Sequence, residues 1–127
     1  MSMRALPEIR FDVDRRKIAL YAALTADANP IHLDEAFAAT TAMGGIIGHG
    51  SMTGNLLWQV LARAGLVATT MAVRFLAPVR PGDRLVAGGS VDAAGACHLW
   101  VRNQDGVEVL GGEAVTVARV VPASASV

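Results

Sequence analysis

Apolar residues in the first half of the chain recur at helical spacing. One stripe lies within residues 15–25, and a longer one covers residues 51–65. A short helix between them is predicted for residues 35–41. Asp14 and Asp34 directly precede the first and the short helix, where aspartate caps free backbone N–H groups. The helix over 51–65 carries small, uncharged residues between its apolar positions, so we expect it to be buried almost all round.

The second half changes to β-rich runs separated by turn residues. These runs cover residues 69–76, 84–91, 96–102 and 107–120. The Asp105-Gly106 pair between the last two runs is a hairpin signal. Helices followed by an antiparallel meander predict an α+β fold in which a curved antiparallel sheet wraps around a long central helix. We expect a single domain over residues 1–127, with a frayed tail from about residue 122.

Composition and charge narrow the class of protein. The 127 residues are 53% hydrophobic and 17% charged, with 11 Lys and Arg against 11 Asp and Glu. Such a balance creates no field that would gather nucleic acid or an anionic membrane, so neither is an expected partner. No apolar stretch approaches the roughly 20 residues that a membrane span needs. The N-terminus lacks the pattern of a secretory signal, which predicts a cytoplasmic protein.

The segment from Asp27 to His32 is the strongest candidate for chemistry. Pro30 fixes its own φ and pushes Asn29 toward an extended conformation, so one helix cannot run through both titratable residues. We therefore expect Asp27 and His32 on a turn, where an acid and an imidazole can share a proton transfer. Asp27 alone could merely form an Asx-turn. The second polar segment at residues 48–51, Gly-His-Gly-Ser, favours the catalytic interpretation.

Several short motifs occur in order along the chain. One set lies between Tyr21 and Gly50, and a second covers residues 75–83. The first set consists of Asp27, Asn29, Pro30, His32, Asp34, Ala36, Phe37 and the pair His49-Gly50. The second reads Phe-Leu-Ala-Pro-Val-Arg-Pro-Gly-Asp. Together they resemble the MaoC-like hydratases, that is, the (R)-specific enoyl-CoA hydratases, also called hydratase 2, and the related 3-hydroxyacyl dehydratases.

This resemblance implies a hotdog fold with an active site at a subunit interface. It also implies a reaction on an acyl thioester that needs no cofactor and no metal. Many relatives place a strand and a turn ahead of the first helix, and the short segment before Arg15 predicts that these are short or missing. Small subunits that pair with a second MaoC-like chain share this feature. A homodimer, a higher homo-oligomer and a mixed assembly therefore all remain open.

The resemblance also suggests roles for individual residues. Adding water to an α,β-unsaturated thioester needs a base for the water, a proton for the α-carbon and a donor for the charge on the thioester oxygen. In the family a water lies between the acid and the histidine, so His32 is the expected base and Asp27 its partner, which orients the water and delivers the proton. Asn29 would steady the water or the loop. The Gly50 N–H, at a helix N-terminus, is the expected oxyanion donor.

His49 and Ser51 are supporting candidates. The His49 side chain is expected to shape the loop rather than take a proton. A metal site from Asp27, His32 and His49 is disfavoured, because their spacing matches no established ligand pattern. Ser51 does not lie in a Gly-x-Ser-x-Gly elbow, so we expect its hydroxyl to cap the helix.

Other residues carry weaker predictions. Three arginines near the Pro81-Gly82 turn could form a rim that binds the phosphates of coenzyme A, with a merely solvated rim equally compatible. They are Arg74, Arg80 and Arg84. Trp58 either reshapes the acyl tunnel or fills core. Cys97 is expected to be a small core residue and His98 to be structural or exposed.

Three functions remain open from the sequence. The leading hypothesis is a lyase that interconverts a trans-2-enoyl thioester and its (R)-3-hydroxyacyl thioester, with coenzyme A favoured over acyl carrier protein as the carrier. A hotdog thioesterase is the second enzymatic hypothesis. The non-enzymatic alternative is a subunit that only binds acyl thioester or supports a catalytic partner.

Overall fold

A computed structural model describes residues 2–120 of the chain. The helices are α1 (Arg15–Thr25), α2 (Pro30–Leu33), α3 (Glu35–Ala39) and α4 (Gly50–Arg63). The strands are β1 (Met3–Ala5), β2 (Ile9–Asp12), β3 (Leu66–Phe75), β4 (Arg84–Asp92), β5 (Ala96–Arg102) and β6 (Glu108–Ala118). The tail from residue 122, predicted to be frayed, lies outside the described residues.

The strands form one antiparallel sheet around helix α4. Its order is β1-β4-β5-β6-β3, with β2 also paired to β4. Helix α4 packs against β2, β3, β4 and β5. This arrangement confirms the predicted α+β hotdog architecture with a long central helix.

Alternation of side chains explains why the sheet packs on one face. In β5 the residues Cys97, Leu99 and Val101 are buried, whereas their neighbours along the strand point away from the core. The predicted hairpin between β5 and β6 is present: Gly106 adopts φ 75°, and its N–H donates to the Asn103 carbonyl. Burial raises the pKa of the Cys97 thiol, in agreement with a core residue.

Helix α4 is buried on one face only, which corrects the prediction of burial all round. Its core face carries Met52, Thr53, Leu56, Leu57, Val60 and Leu61. On the opposite face, Trp58 is 49% exposed and Ala62 is exposed as well. Small, uncharged residues had suggested burial, but no part of residues 2–120 covers this face. The helix also begins at Gly50 rather than at residue 51.

The leading strands are short but present. β1 and β2 both pair with β4, in consecutive stretches of that strand. Neither strand has a periodic pattern, because three and four residues are too few to establish an alternation. β3 also begins earlier than predicted, at Leu66. Among residues 2–120, none of the helices is long and apolar enough to cross a lipid bilayer.

Both predicted caps are confirmed. Asp14 accepts from the Lys17 N–H at 2.7 Å, and Asp34 accepts from the Phe37 N–H at 3.1 Å. Helix α1 ends at Thr25, and the capping residue Ala26 adopts the left-handed conformation with φ 56°. Its left-handed turn directly precedes Asp27, so the end of α1 sets where the candidate acid leaves the helix.

Candidate active site

The Asp27–His32 segment changes direction sharply between α1 and α2. The Asn29 side chain accepts from the Ile31 N–H at 3.0 Å and caps α2, which starts at Pro30. No single helix joins Asp27 to His32, as predicted, but His32 lies within the short helix α2 rather than on an open turn. Proline at the first helical position is compatible with this, because its missing N–H needs no partner there.

His32 is held in one tautomer by the main chain. Its Nδ1 lies 2.7 Å from the Ile47 carbonyl oxygen. A carbonyl oxygen only accepts, so Nδ1 carries the proton and donates it. In the neutral ring this leaves an unshared electron pair on Nε2. Nε2 is therefore the ring atom that can accept a proton.

His49 is a buried histidine that holds the other segment. It is 1% exposed, and its Nε2 lies 3.0 Å from the Asp27 carbonyl oxygen, to which it donates. Its ring stacks on that of His32 with centroids 3.8 Å apart. Within residues 2–120 its Nδ1 is buried and has no hydrogen-bond partner. His49 thus contacts both Asp27 and His32.

The side chains of Asp27, His32 and His49 converge. Each offers a ligand or proton-transfer atom, and these atoms lie within 4.8 Å of one another. The two imidazole planes differ by only 23°, so lone pairs in those planes do not point at one shared ion as a tetrahedral site requires. The arrangement suits proton transfer between an acid and a base better than it suits a metal centre.

Gly50 starts helix α4 beside this cluster. The N–H groups of a first helical turn have no intrahelical partner, and the helix dipole favours negative charge at this end. The aromatic ring of Phe75 covers the glycine closely: a Cβ added at Gly50 would lie 2.8 Å from Phe75 Cε1. A larger residue at position 50 would therefore require the Phe75 ring to move.

Two cavities meet at Gly50 and Phe75, which line both. The first encloses about 340 Å³ and is also lined by Met43, Ile47, Leu76, Val79 and Val109. The second encloses about 550 Å³ and is also lined by Tyr21, Ser51, Asn55, Trp58, Met71 and Val73. A ligand with a polar group at Gly50 and one arm in each cavity would fit this shape.

The Ser51 hydroxyl does not cap α4. The N-cap residue is His49, and Ser51 Oγ instead accepts from the Tyr21 hydroxyl at 2.7 Å. The cap prediction was therefore wrong. No role in the site was predicted for Tyr21 from the sequence, because periodicity cannot tell a core tyrosine from one that lines a cavity.

The three arginines differ in their surroundings. Arg74 donates to both carboxylate oxygens of Glu113, at 2.6 and 2.8 Å. These hydrogen bonds raise the pKa of Arg74 and lower the pKa of Glu113. Arg80 donates to the Met43 carbonyl and so braces the loop that leads to Ile47. The Arg84 side chain is exposed and makes no hydrogen bond to residues 2–120.

The family follows from comparison with known proteins. A family profile described as "MaoC like domain" matches residues 3–105. The chain belongs to the MaoC-like family. This agrees with the resemblance of its motifs and with the observed hotdog fold.

Named relatives of this MaoC-like chain act on enoyl or hydroxyacyl thioesters. It is 42% identical over 81 residues to the (R)-specific enoyl-CoA hydratase of Aeromonas caviae, covering 61% of this chain and 60% of that one. It is 38% identical over 79 residues to the 3-hydroxybutyryl-CoA dehydratase of Methylorubrum extorquens, covering 59% and 50%. The aligned part thus spans only about half to 60% of these curated relatives.

A solved structure matches over more of the length. The unliganded R-hydratase PhaJ1 of Pseudomonas aeruginosa superposes with a TM-score of 0.78 at 30% identity. The match covers 93% of this chain and 89% of that one. The sheet and the central helix of the MaoC-like chain are therefore those of a hydratase hotdog fold.

Proposed function

We propose that this MaoC-like chain interconverts a trans-2-enoyl thioester and its (R)-3-hydroxyacyl thioester. The observation that carries the proposal is the site itself: Asp27 and His32 converge with His49, and Gly50, which follows His49 at the start of α4, lines both cavities. Named relatives with hydratase or dehydratase activity support the same reaction.

In the hydration direction, water adds to C3 of the enoyl group. His32 Nε2 removes a proton from the water as its oxygen bonds to C3, and Asp27 orients the water and delivers a proton to C2. The proton that His32 takes from the water passes to Asp27 and from there to C2, so both residues end in their starting protonation states. Asn29 supports these steps by capping α2 and so fixing the loop.

Negative charge builds up on the thioester oxygen during the addition. The Gly50 N–H is the proposed donor to that oxygen, because it combines a free amide with the positive end of the α4 dipole. With the carbonyl at Gly50, the acyl chain and the carrier arm extend into the two cavities that meet there.

Coenzyme A is the proposed carrier, with acyl carrier protein as the alternative, and the cytoplasm is the proposed compartment. The predicted phosphate rim of Arg74, Arg80 and Arg84 stays a prediction. Arg74 and Arg80 already bind protein groups, which leaves Arg84 as the arginine of the three with an uncommitted side chain among the described residues.

A homo-oligomer, at least a dimer, is the proposed assembly. β3 lies at one end of the sheet order, so its outer backbone edge has no partner strand among residues 2–120. Large apolar side chains on α4, β3 and β6 are exposed around it: Trp58, Val67, Val73, Phe75, Val115 and Val117. A patch of this kind is typical of an interface, and a second copy or a second MaoC-like chain fits it.

The test is a spectroscopic assay with short and medium trans-2-enoyl-CoA. We expect loss of the conjugated absorbance without release of free thiol, and chiral analysis should give the (R)-3-hydroxyacyl product. Release of thiol would indicate a thioesterase instead. Neither change, with retained binding of acyl-CoA, would indicate the non-catalytic subunit.

Two substitutions test the site. Asp27→Asn and His32→Ala should each lower kcat by at least about a hundredfold, because each removes a proton-transfer group. Asp105→Asn and His98→Ala make the same chemical changes at exposed positions outside the site and should leave kcat unchanged. Circular dichroism checks that all four variants fold. Full activity in both site variants would contradict the assignment.

A further inference from the structure

Tyr21 and Ser51 form a hydroxyl pair beside the proposed oxyanion donor. The Tyr21 O–H donates to Ser51 Oγ at 2.7 Å, which joins the middle of α1 to the first turn of α4. Ser51 directly follows Gly50, and all three residues line the cavity of about 550 Å³. A ligand whose carbonyl reaches the Gly50 N–H therefore lies next to this pair.

The pair retains one unused proton. Two hydroxyl groups carry two protons, and the hydrogen bond between them uses the proton of Tyr21. Ser51 Oγ makes no second hydrogen bond to the described part of the chain, so its own proton is free to point into the cavity. A hydroxyl that already accepts one hydrogen bond is a stronger donor, because neighbouring bonds polarise each other.

The alternative explanation is a purely structural contact between two helices. Ser51 is exposed rather than packed, and its hydroxyl does not cap α4. A tether between helices would not require the pair to line a cavity next to Gly50. Burying the pair away from the cavity would serve stability better, because exposed hydrogen bonds contribute little.

We propose that Ser51 is a second oxyanion donor and that Tyr21 is a positioning residue that orients and polarises it. This inference rests on the hydratase function proposed above. The thioester oxygen then receives the Gly50 N–H and the Ser51 O–H together. No proton is transferred in this contact. Because it strengthens only as charge develops, it acts on kcat more than on KM.

The experiment is a double-mutant cycle with Ser51→Ala and Tyr21→Phe. We expect Ser51→Ala to lower kcat by about tenfold or more with little change in KM, as for loss of one oxyanion donor. Tyr21→Phe should cause a smaller loss. The double variant should equal Ser51→Ala, because Tyr21 acts only through Ser51. Ser51→Thr keeps the hydroxyl and should retain most of the activity.

The control is Thr40→Ala, which removes a hydroxyl that bonds the Phe37 carbonyl outside the cavity and should leave kcat unchanged. A fully active Ser51→Ala variant, or one with lower melting temperature but unchanged kcat, would overturn the donor role of Ser51. Additive losses would overturn the role of Tyr21. A wild-type chain that does not hydrate enoyl-CoA would overturn the proposed function and this inference together.

Discussion

At the scale of single residues, His32 and His49 each donate a hydrogen bond to the backbone of the segment that carries the other. His32 donates to the carbonyl of Ile47, two residues before His49. His49 in turn donates to the carbonyl of Asp27, in the segment that carries His32. The two rings stack between these bonds. The acid, the base and the start of α4 are therefore held as one unit.

Backbone strain at Ala26, the residue before Asp27, can be tested by substitution. Ala26 is the non-glycine residue with positive φ within residues 2–120, and the left-handed conformation costs an L-residue roughly 1–2 kcal/mol. Ala26→Gly should raise the free energy of unfolding by about 0.5–1 kcal/mol after the entropy of the unfolded glycine is counted. Urea denaturation measures this change.

The matched control is Ala62→Gly, on the exposed face of α4. There the same substitution should lower the free energy of unfolding by about 1 kcal/mol, because glycine is unfavourable inside a helix. A loss of stability at both positions would show that the backbone at Ala26 is not strained.

At the scale of elements, the N-terminus of α4 and the end of β3 meet at one contact. Phe75, the last residue of β3, packs on Gly50, the first residue of α4. The ring is 64% exposed and lines both cavities. The packing of β3 on α4 and the shape of both cavities therefore depend on Gly50 and Phe75.

Gly50→Ala should disrupt this contact. Its Cβ would lie 2.8 Å from Phe75, which real structures do not allow, so the ring or the helix must move. Because the Phe75 ring is exposed and can turn away, we expect a loss of only about 0.5–1.5 kcal/mol in unfolding free energy, together with a reduced kcat/KM. Gly54→Ala in the same helix meets nothing within 4 Å and should stabilise by about 0.5–1 kcal/mol.

Phe75→Ala tests the cause of this effect. In its background, Gly50→Ala should cost less stability than in the wild type, because the clashing ring is gone. An equal cost in both backgrounds would show that another group opposes the new methyl. Chemical denaturation of the four variants gives the comparison.

The caps, the main strands and the central helix were predictable from the sequence because they depend on neighbours in the chain. Asp14 and Asp34 bond to residues three positions away. The contacts of His32 with Ile47 and of Tyr21 with Ser51 join residues 15 and 30 positions apart. Such contacts depend on how the elements pack, and no local pattern encodes them.

At the scale of the whole molecule, the described part of the chain leaves one apolar face exposed. This face combines the edge strand β3 with the outward side of α4. The same surface explains why the small residues of α4 were wrongly predicted to be buried. Burial of this face by a partner would explain why the outward side of α4 carries small, uncharged residues.

Val73→Lys should weaken the proposed assembly. Val73 lies on β3 and is 40% exposed, and a charge there opposes burial against another copy. We expect the wild type to be at least dimeric in analytical ultracentrifugation and the variant to shift toward monomer. Val107→Lys makes the same substitution at an exposed valine between β5 and β6, and it should have no effect on assembly. A monomeric wild type would contradict the proposal.

Each of the two histidines fixes the backbone of the segment that carries the other, and this affects which substitutions the protein can tolerate during evolution. Both acceptors are main-chain carbonyls, so neither bond depends on which side chain occupies positions 27 and 47. If Asp27 has the proposed role, exchanging its carboxylate for an amide would thus remove the activity and leave both backbone hydrogen bonds in place. One nucleotide separates an Asp codon from an Asn codon, so an active subunit and an inert binding subunit are neighbours in sequence space.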